Sequence, residues 1–313
     1  VKYQEDADWE IVKQSDKRTF PLGVDEHGRL VSWNTRSTPN LLVAGKSGSG
    51  KYYAMVTPAI EALLYGYDLI VIDPSKGASD FKPWGESRSI AFIGQGNYRQ
   101  TEACVLWVEA ELDRRVKLLA KTGCTHIDDL PEADRPKRIL LVFDEFESYL
   151  KGIMKPTANP ADDQEIAKLN RRINSRNASI RRTGGALSRI AIQGRTTGIS
   201  ILIGAHRLTS RDCDVFPGGR AFYKTVGKLV LGAESLADVV CMMNLSEAHR
   251  LQKDYEINDG KTIGRGIYES AEGMLSVVQT WWPGTSDDIS DVLSGVQSAE
   301  KINFDEYLPP EVK

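Results

Sequence analysis

The sequence predicts an α/β fold: a mostly parallel sheet with helices on both faces. Three observations lead there. First, strand and helix patterns alternate along the chain. Strands are expected at 40–44, 68–72, 89–93, 138–143, 199–204 and 228–232. Helices are expected at 51–65, 99–121, 143–151, 163–182, 185–195 and 234–243, and such alternation builds βαβ units. Second, the runs at 68–72, 139–143 and 199–203 are nearly all aliphatic, as strands covered on both faces must be. Third, a glycine-rich turn joins an apolar strand, Leu41 to Ala44, to the helical stretch that starts near Lys51.

Composition sets the outer bounds. A chain of 313 residues holds one large α/β domain or two small ones. Hydrophobic residues at 41% and charged residues at 27% are ordinary for a soluble protein. No apolar run is long enough to span a bilayer, and the N-terminus shows no signal-peptide pattern. Cys104, Cys124, Cys213 and Cys241 are scattered without metal-ligand spacing, so reduced thiols and a cytoplasmic location are expected. The net charge of −3 gives no global basic field, so the distribution of charge carries more information than its sum.

Along the chain, residues 1–20 are charged and lack apolar periodicity, which reads as a lead-in or linker. Residues 21–33 read as a hairpin turning at Asp25-Glu26-His27-Gly28. One α/β body is expected over 21–283, with a surface excursion at about 152–186 that opens with two prolines and Asp162-Asp163. A strand is expected at Met274–Thr280, and Trp281-Trp282 after it read as packing residues more readily than as base-stacking ones. Residues 284–313 are polar and acidic and read as a tail. No internal repeat is present.

The turn Gly45-Lys46-Ser47-Gly48-Ser49-Gly50-Lys51 matches the phosphate-loop pattern G-x-x-x-x-G-K-[ST] up to its last position. The glycines let successive backbone N–H groups turn inward around a polyphosphate, and the following helix N-terminus adds a favourable dipole. Lys51 would reach the terminal phosphates. The last position should hold a short hydroxyl for Mg²⁺, but it is Tyr52. The pattern therefore argues for nucleotide binding more strongly than for turnover. The bland alternative is a structural turn.

A second element is Ile139-Leu140-Leu141-Val142-Phe143-Asp144-Glu145, an aliphatic strand ending in two acids. In a phosphate-loop enzyme the first acid, Asp144, would hold the metal, and the second, Glu145, would polarise the attacking water. The competing reading makes Asp144 the N-cap of the next helix. A third element is the strand before His206, whose C-terminal edge is where ligands lie in open α/β sheets. His206 would contact the γ-phosphate or the attacking water, or else be a polar residue satisfied at a strand end.

Taken in series, these pieces resemble the FtsK/SpoIIIE-type DNA translocase motor domain of the HerA–FtsK group of P-loop ATPases. The matching stretches are Pro21-Leu-Gly-Val-Asp-Glu-His-Gly, Pro39 through Lys51, Ile72-Asp-Pro-Ser-Lys-Gly, Leu141-Val-Phe-Asp-Glu-Phe, Gly194-Arg-Thr-Thr-Gly-Ile, Gly204-Ala-His-Arg and Gly264-Arg-Gly-Ile-Tyr. They span about residues 20–270 in family order. The resemblance implies a RecA-like core, ATP and Mg²⁺ as cofactors, assembly into a ring such as a hexamer, and ATP-driven movement of double-stranded DNA. Related branches serve conjugation or mobile-element transfer, and others serve type VII protein secretion, both beside membrane-bound machinery. Three features depart from the family: Tyr52, His206 where glutamine is usual, and a longer segment between Glu145 and Arg195. The family's membrane segments and winged-helix DNA reader are not evident, so a soluble relative or a fragment of a longer protein is expected.

From Lys168 to Arg211 there is no acidic residue. Such one-signed clustering repels itself unless a partner supplies negative charge. Arg171, Arg172, Arg176, Arg181 and Arg182 are the candidate contacts to a DNA backbone, which would make binding sequence-tolerant and salt-dependent. Arg195, by its place in the Gly194–Ile199 stretch, is the candidate to touch the γ-phosphate of a neighbouring subunit. The alternative is that these arginines form solvated or interface surfaces and pair with acids such as Asp162, Asp163 and Glu165. Three functions follow: a DNA translocase, a protein-secretion ATPase that binds peptides, and a nucleotide-binding subunit silenced by Tyr52.

Overall fold

The structure is a computed structural model, and it describes residues 5–75, 79–96, 98–157, 163–232, 242, 244–255, 257 and 262–309. Its strands are β1 (Glu5–Asp6), β2 (Thr19–Val24), β3 (Leu30–Asn34), β4 (Asn40–Ala44), β5 (Asp68–Ile72), β6 (Ala91–Ile93), β7 (Ile139–Phe143), β8 (Ile199–Ala205), β9 (Val226–Leu231), β10 (Arg265–Glu269) and β11 (Leu275–Trp282). Its helices are α1 (Trp9–Gln14), α2 (Lys51–Leu64), α3 (Lys82–Gly85), α4 (Tyr98–Thr122), α5 (Phe146–Leu150), α6 (Gln164–Thr197), α7 (Gly219–Thr225), α8 (Leu245–Asp254) and α9 (Ser286–Val292). The helix expected at 234–243 falls almost wholly outside the described residues.

One sheet organises the chain in the order β3-β2-β11-β10-β9-β4-β8-β7-β5-β6. From β9 to β6 every neighbouring pair is parallel. From β9 outward to β3 the pairs are antiparallel. The sheet is therefore mixed, with a parallel half that matches the expected alternation.

The aliphatic strands are covered on both faces, and alternate residues feed two cores. Leu42, Ile70, Leu141 and Ile201 face the layer that includes Val105, Val108 and Leu112 of α4 and Leu187 and Ile190 of α6. Leu41, Leu69, Leu140 and Leu202 face the opposite layer, with Met55, Ala59 and Ile60 of α2. Period-two alternation in an all-apolar strand thus serves two buried surfaces at once.

Three expectations change, and one strand appears that the sequence did not signal. The helices expected at 163–182 and 185–195 are one helix of 34 residues that runs through Gly184-Gly185. Glycine costs about 1 kcal/mol in a helix interior, but a Cβ at Gly184 would lie 2.3 Å from Phe216 Cγ, so close packing decides. Residues 5–20 are docked rather than a free lead-in. β1 pairs with β11, and α1, capped by the Asp8 carboxylate, buries Val12. Residues 284–309 are likewise docked. Arg88 donates to the carbonyls of Leu293 and Val296, and the N–H groups of Ala299 and Ile302 donate to Ser87 and Ile90. Finally, β10 carries a glycine and two charged residues, so its sequence gave no strand signal; its pairing comes from β9 and β11.

Candidate functional site

Register brings the distant motifs to one sheet edge. Phe143 pairs with Ile203 in β8, Leu42 pairs with the same residue from β4, and Ile72 pairs with Phe143. Gly45, Asp73, Asp144, Glu145 and His206 all follow the ends of these strands, so they share the C-terminal edge of the parallel half. This is the edge where open α/β sheets place ligands.

The loop 45–51 is shaped by glycines. Gly48 and Gly50 adopt φ of 81° and 94°, which side-chain-bearing residues rarely hold. A Cβ at Gly50 would lie 2.8 Å from Gly264 N, and that N–H donates to the Ser49 carbonyl at 2.8 Å. The start of β10 therefore braces the loop from outside the parallel half. The Ser49 hydroxyl is buried without a partner. Lys46, Ser47 and Gly48 are exposed at the tip. An orphaned hydroxyl and an exposed tip turned by glycines both fit a polyphosphate.

Lys51 is buried, with its ammonium 3.0 Å from Glu145 Oε1 and 3.4 Å from Asp144 Oδ1. Asp144 Oδ1 also accepts the Glu145 N–H at 2.8 Å. Burial pushes the Asp144 carboxyl above the usual carboxylate range, against the pull of Lys51, while Glu145 and Asp73 push the same way as burial. A Cβ on Gly204 would lie 2.1 Å from Asp144 Oδ1, so the acid needs a glycine beside it. The Asp144 N-cap alternative fails. The N-cap of α5 is Glu145, and its side chain makes no capping bond.

Glu145 sits at φ 53°, the one side-chain-bearing residue with positive φ among the described residues. Such a conformation costs about 1 kcal/mol or more and persists only where surrounding contacts impose it. It aims the carboxylate at Lys51 on one side and at His206 on the other, where Oε2 lies 3.5 Å from Nε2. The Ser148 hydroxyl donates to the same Oε2 at 3.4 Å. His206 remains partly exposed and can meet a bound molecule.

Tyr52 does not join this group. Its phenol donates to the Asp80 carbonyl at 3.0 Å, and its ring packs edge-on to Phe81. The donor set therefore falls short of the Mg²⁺ site implied by the resemblance. Asp144 faces the site already held by Lys51, no hydroxyl comes from position 52, and among the described residues no group of three or more His, Cys, Asp or Glu has metal-binding spacing.

The arginines divide. Arg171, Arg172 and Arg181 are exposed. Arg182 pairs with the buried Glu102, and Arg176 stacks 4.1 Å over the Tyr98 ring and donates to its hydroxyl. Arg189 pairs with Glu109 and Asp113 of α4. Thus acids of α4 face Arg182 and Arg189 of the one-signed run, and Arg176 and Arg182 serve packing between α4 and α6. Of the acids expected as partners, Asp163 caps α6, and Asp162 lies outside the described residues. Arg195 lies at the end of α6 and donates to the Ser37 carbonyl at 3.5 Å, ahead of β4. That is the edge opposite the loop, so it does not reach the phosphate site of its own chain.

Sequence reasoning assigned no role to Asp73, Gly204 or Gly264. Asp73 is 3% exposed and adjoins Asp144. Its signal was available: Leu69 to Ile72 is a second aliphatic strand ending in an acid.

No protein-family model matches the chain. In sequence it is 34% identical over 125 residues to the DNA translocase FtsK of Tropheryma whipplei, covering 39% of this chain and 17% of that protein. It is 30% identical over 115 residues to the DNA translocase SftA of Bacillus subtilis, covering 35% and 12%. The chain thus spans less than a fifth of the length of these curated relatives. In structure it is similar to the pCW3 conjugation coupling protein TcpA, solved with ATPγS, with a TM-score of 0.69 at 17% identity over 93% of this chain and 75% of that one. It is also similar to the cytoplasmic domain of the Thermomonospora curvata type VII secretion ATPase EccC, with a TM-score of 0.62 at 15% identity over 98% and 34%. These likenesses give the fold, the α/β core that these proteins share.

Proposed function

We propose that this chain, a relative of the FtsK/SpoIIIE-type motor domains, is the nucleotide-driven motor part of a DNA translocase, of the kind that serves conjugative or mobile-element transfer. One observation carries the reading: Lys51 of the glycine loop and the twin acids Asp144 and Glu145 converge within 3.4 Å at one sheet edge. A polyphosphate in the loop would be held by backbone N–H groups and would draw the Lys51 ammonium toward it. Glu145, released from the lysine, would accept a proton from water, with His206 and Ser148 keeping it oriented. A ring would bring the far-edge Arg195 to a neighbour's site, and exposed Arg171, Arg172 and Arg181 would meet a DNA backbone.

The experiment is the ATPase rate of the chain with and without duplex DNA. Stimulation by DNA that disappears in Glu145→Ala supports the reading. Stimulation by a secretion-signal peptide in place of DNA would move the cargo to protein.

A second reading has its own observation. Because the Tyr52 phenol points to Asp80, the chain fits a subunit that holds nucleotide and turns it over slowly or not at all. Nucleotide binding without turnover, with turnover gained in Tyr52→Ser, would favour it.

A further inference from the structure

In loops of this pattern, position 52 presents a hydroxyl to the cation that accompanies a bound polyphosphate. Here three contacts hold the side chain elsewhere. The phenol oxygen donates to the Asp80 carbonyl at 3.0 Å, the ring meets Phe81 edge-on at 6.1 Å, and it lies 5.0 Å from the Tyr53 ring. Tyr52 also packs on the apolar layer that holds Phe81 and Trp84, which are essentially fully buried. The side chain thus ties the first turn of α2 to the segment that follows β5.

We propose that Tyr52 is an anchor and not a ligand, and that this site holds the polyphosphate of a nucleotide through Lys51, the loop amides and the α2 N-terminus, with a divalent cation adding little to affinity. The inference rests on the nucleotide-binding reading above and deepens it. The charges nearby are consistent with it. Lys46 and Lys51 both belong to the loop, and the start of α2 contributes its dipole. Asp73, Asp144 and Glu145 lie beside the loop, and Lys51 already faces the last two. Replacing Tyr52 by a short hydroxyl would restore the missing donor while removing the tie to Asp80.

The test is titration of the whole chain with a fluorescent N-methylanthraniloyl ATP, in Mg²⁺ and in EDTA. The expected affinities agree within about threefold. Tyr52→Phe, which keeps the ring packing and removes the oxygen, is expected to bind as the parent does in both buffers. Tyr52→Thr is expected to gain about tenfold in Mg²⁺ alone. If that variant does not fold, the parent and Tyr52→Phe still decide the matter. A loss of about tenfold or more when EDTA replaces Mg²⁺ in the parent would overturn the inference. So would a loss of binding in Tyr52→Phe that appears in Mg²⁺ and not in EDTA, since the phenol oxygen would then serve the cation. Binding that is absent in both buffers, or present but unaltered in Lys51→Ala, would end the phosphate-loop reading itself, and this inference with it.

Discussion

Lys51 is paired with Glu145 at 3.0 Å, and both side chains are withdrawn from water. The residue assigned to phosphate and the residue assigned to water therefore neutralise one another when no ligand stands between them. Lys51→Met should leave two buried carboxylates without their cation and lower the unfolding free energy by about 3 kcal/mol. Adding Glu145→Gln should recover part of that loss. Urea unfolding of the two single variants and the double variant measures the coupling, and additive losses would mean that the pair contributes nothing.

Glu61 lies fully buried in α2, and neither of its carboxylate oxygens has a hydrogen-bond partner. Burial raises its pKa well above 4.5, so the folded state favours the neutral acid. The sign follows from linkage. The contribution is fully present below the ordinary glutamate value and is lost as pH rises toward the folded-state value. Stability should therefore decline with rising pH above about 4.5 through this group. Glu61→Met should flatten that decline and stabilise the chain more at pH 8 than at pH 5. Equal gains at both pH values would show that Glu61 does not titrate in this way.

Adjacent glycines in α6 should respond oppositely. A Cβ at Gly185 would lie 3.8 Å from Pro217 Cδ, an ordinary contact, whereas one at Gly184 would collide with Phe216. Gly185→Ala should stabilise by about 0.5–1 kcal/mol through helix propensity. Gly184→Ala should destabilise by about 1–3 kcal/mol through overpacking. Melting temperatures of the two variants check the pair.

The arginines can be separated by what they touch. Changing Arg171, Arg172 and Arg181 together to Ala should weaken duplex DNA binding and flatten its salt dependence while leaving stability within about 0.5 kcal/mol. Arg182→Ala should instead strand the buried Glu102 carboxylate. Its cost should be about 1–2 kcal/mol, less than for a fully buried pair because the guanidinium is half in water. Fluorescence anisotropy across a salt series, beside denaturant melts, distinguishes the two groups.

Much of the parallel half was legible because its signals are local. Residues 40–44, 68–72 and 139–143 are aliphatic runs bounded by turns, and the glycine loop and the twin acids are short patterns at fixed spacing. The antiparallel half was harder to read. β10 mixes glycine with arginine and glutamate, and nothing in its own residues shows that β9 and β11 will flank it. The docked C-terminal segment escaped for a similar reason. Its polar composition suits a tail, yet its backbone N–H groups find the carbonyls of Ser87 and Ile90.

By itself, the sequence determined the covered parallel half of the sheet, a glycine-rich turn and an acid-ended strand, because periodicity and glycine placement act over a few residues. Only the tertiary structure decided who meets whom. It paired Lys51 with Glu145, turned Tyr52 toward Asp80, matched Arg182 to Glu102 eighty positions away, and set Arg195 at the far edge. Those outcomes depend on strand order and on acids supplied by distant helices, and such distances in space are not written in distances along the chain.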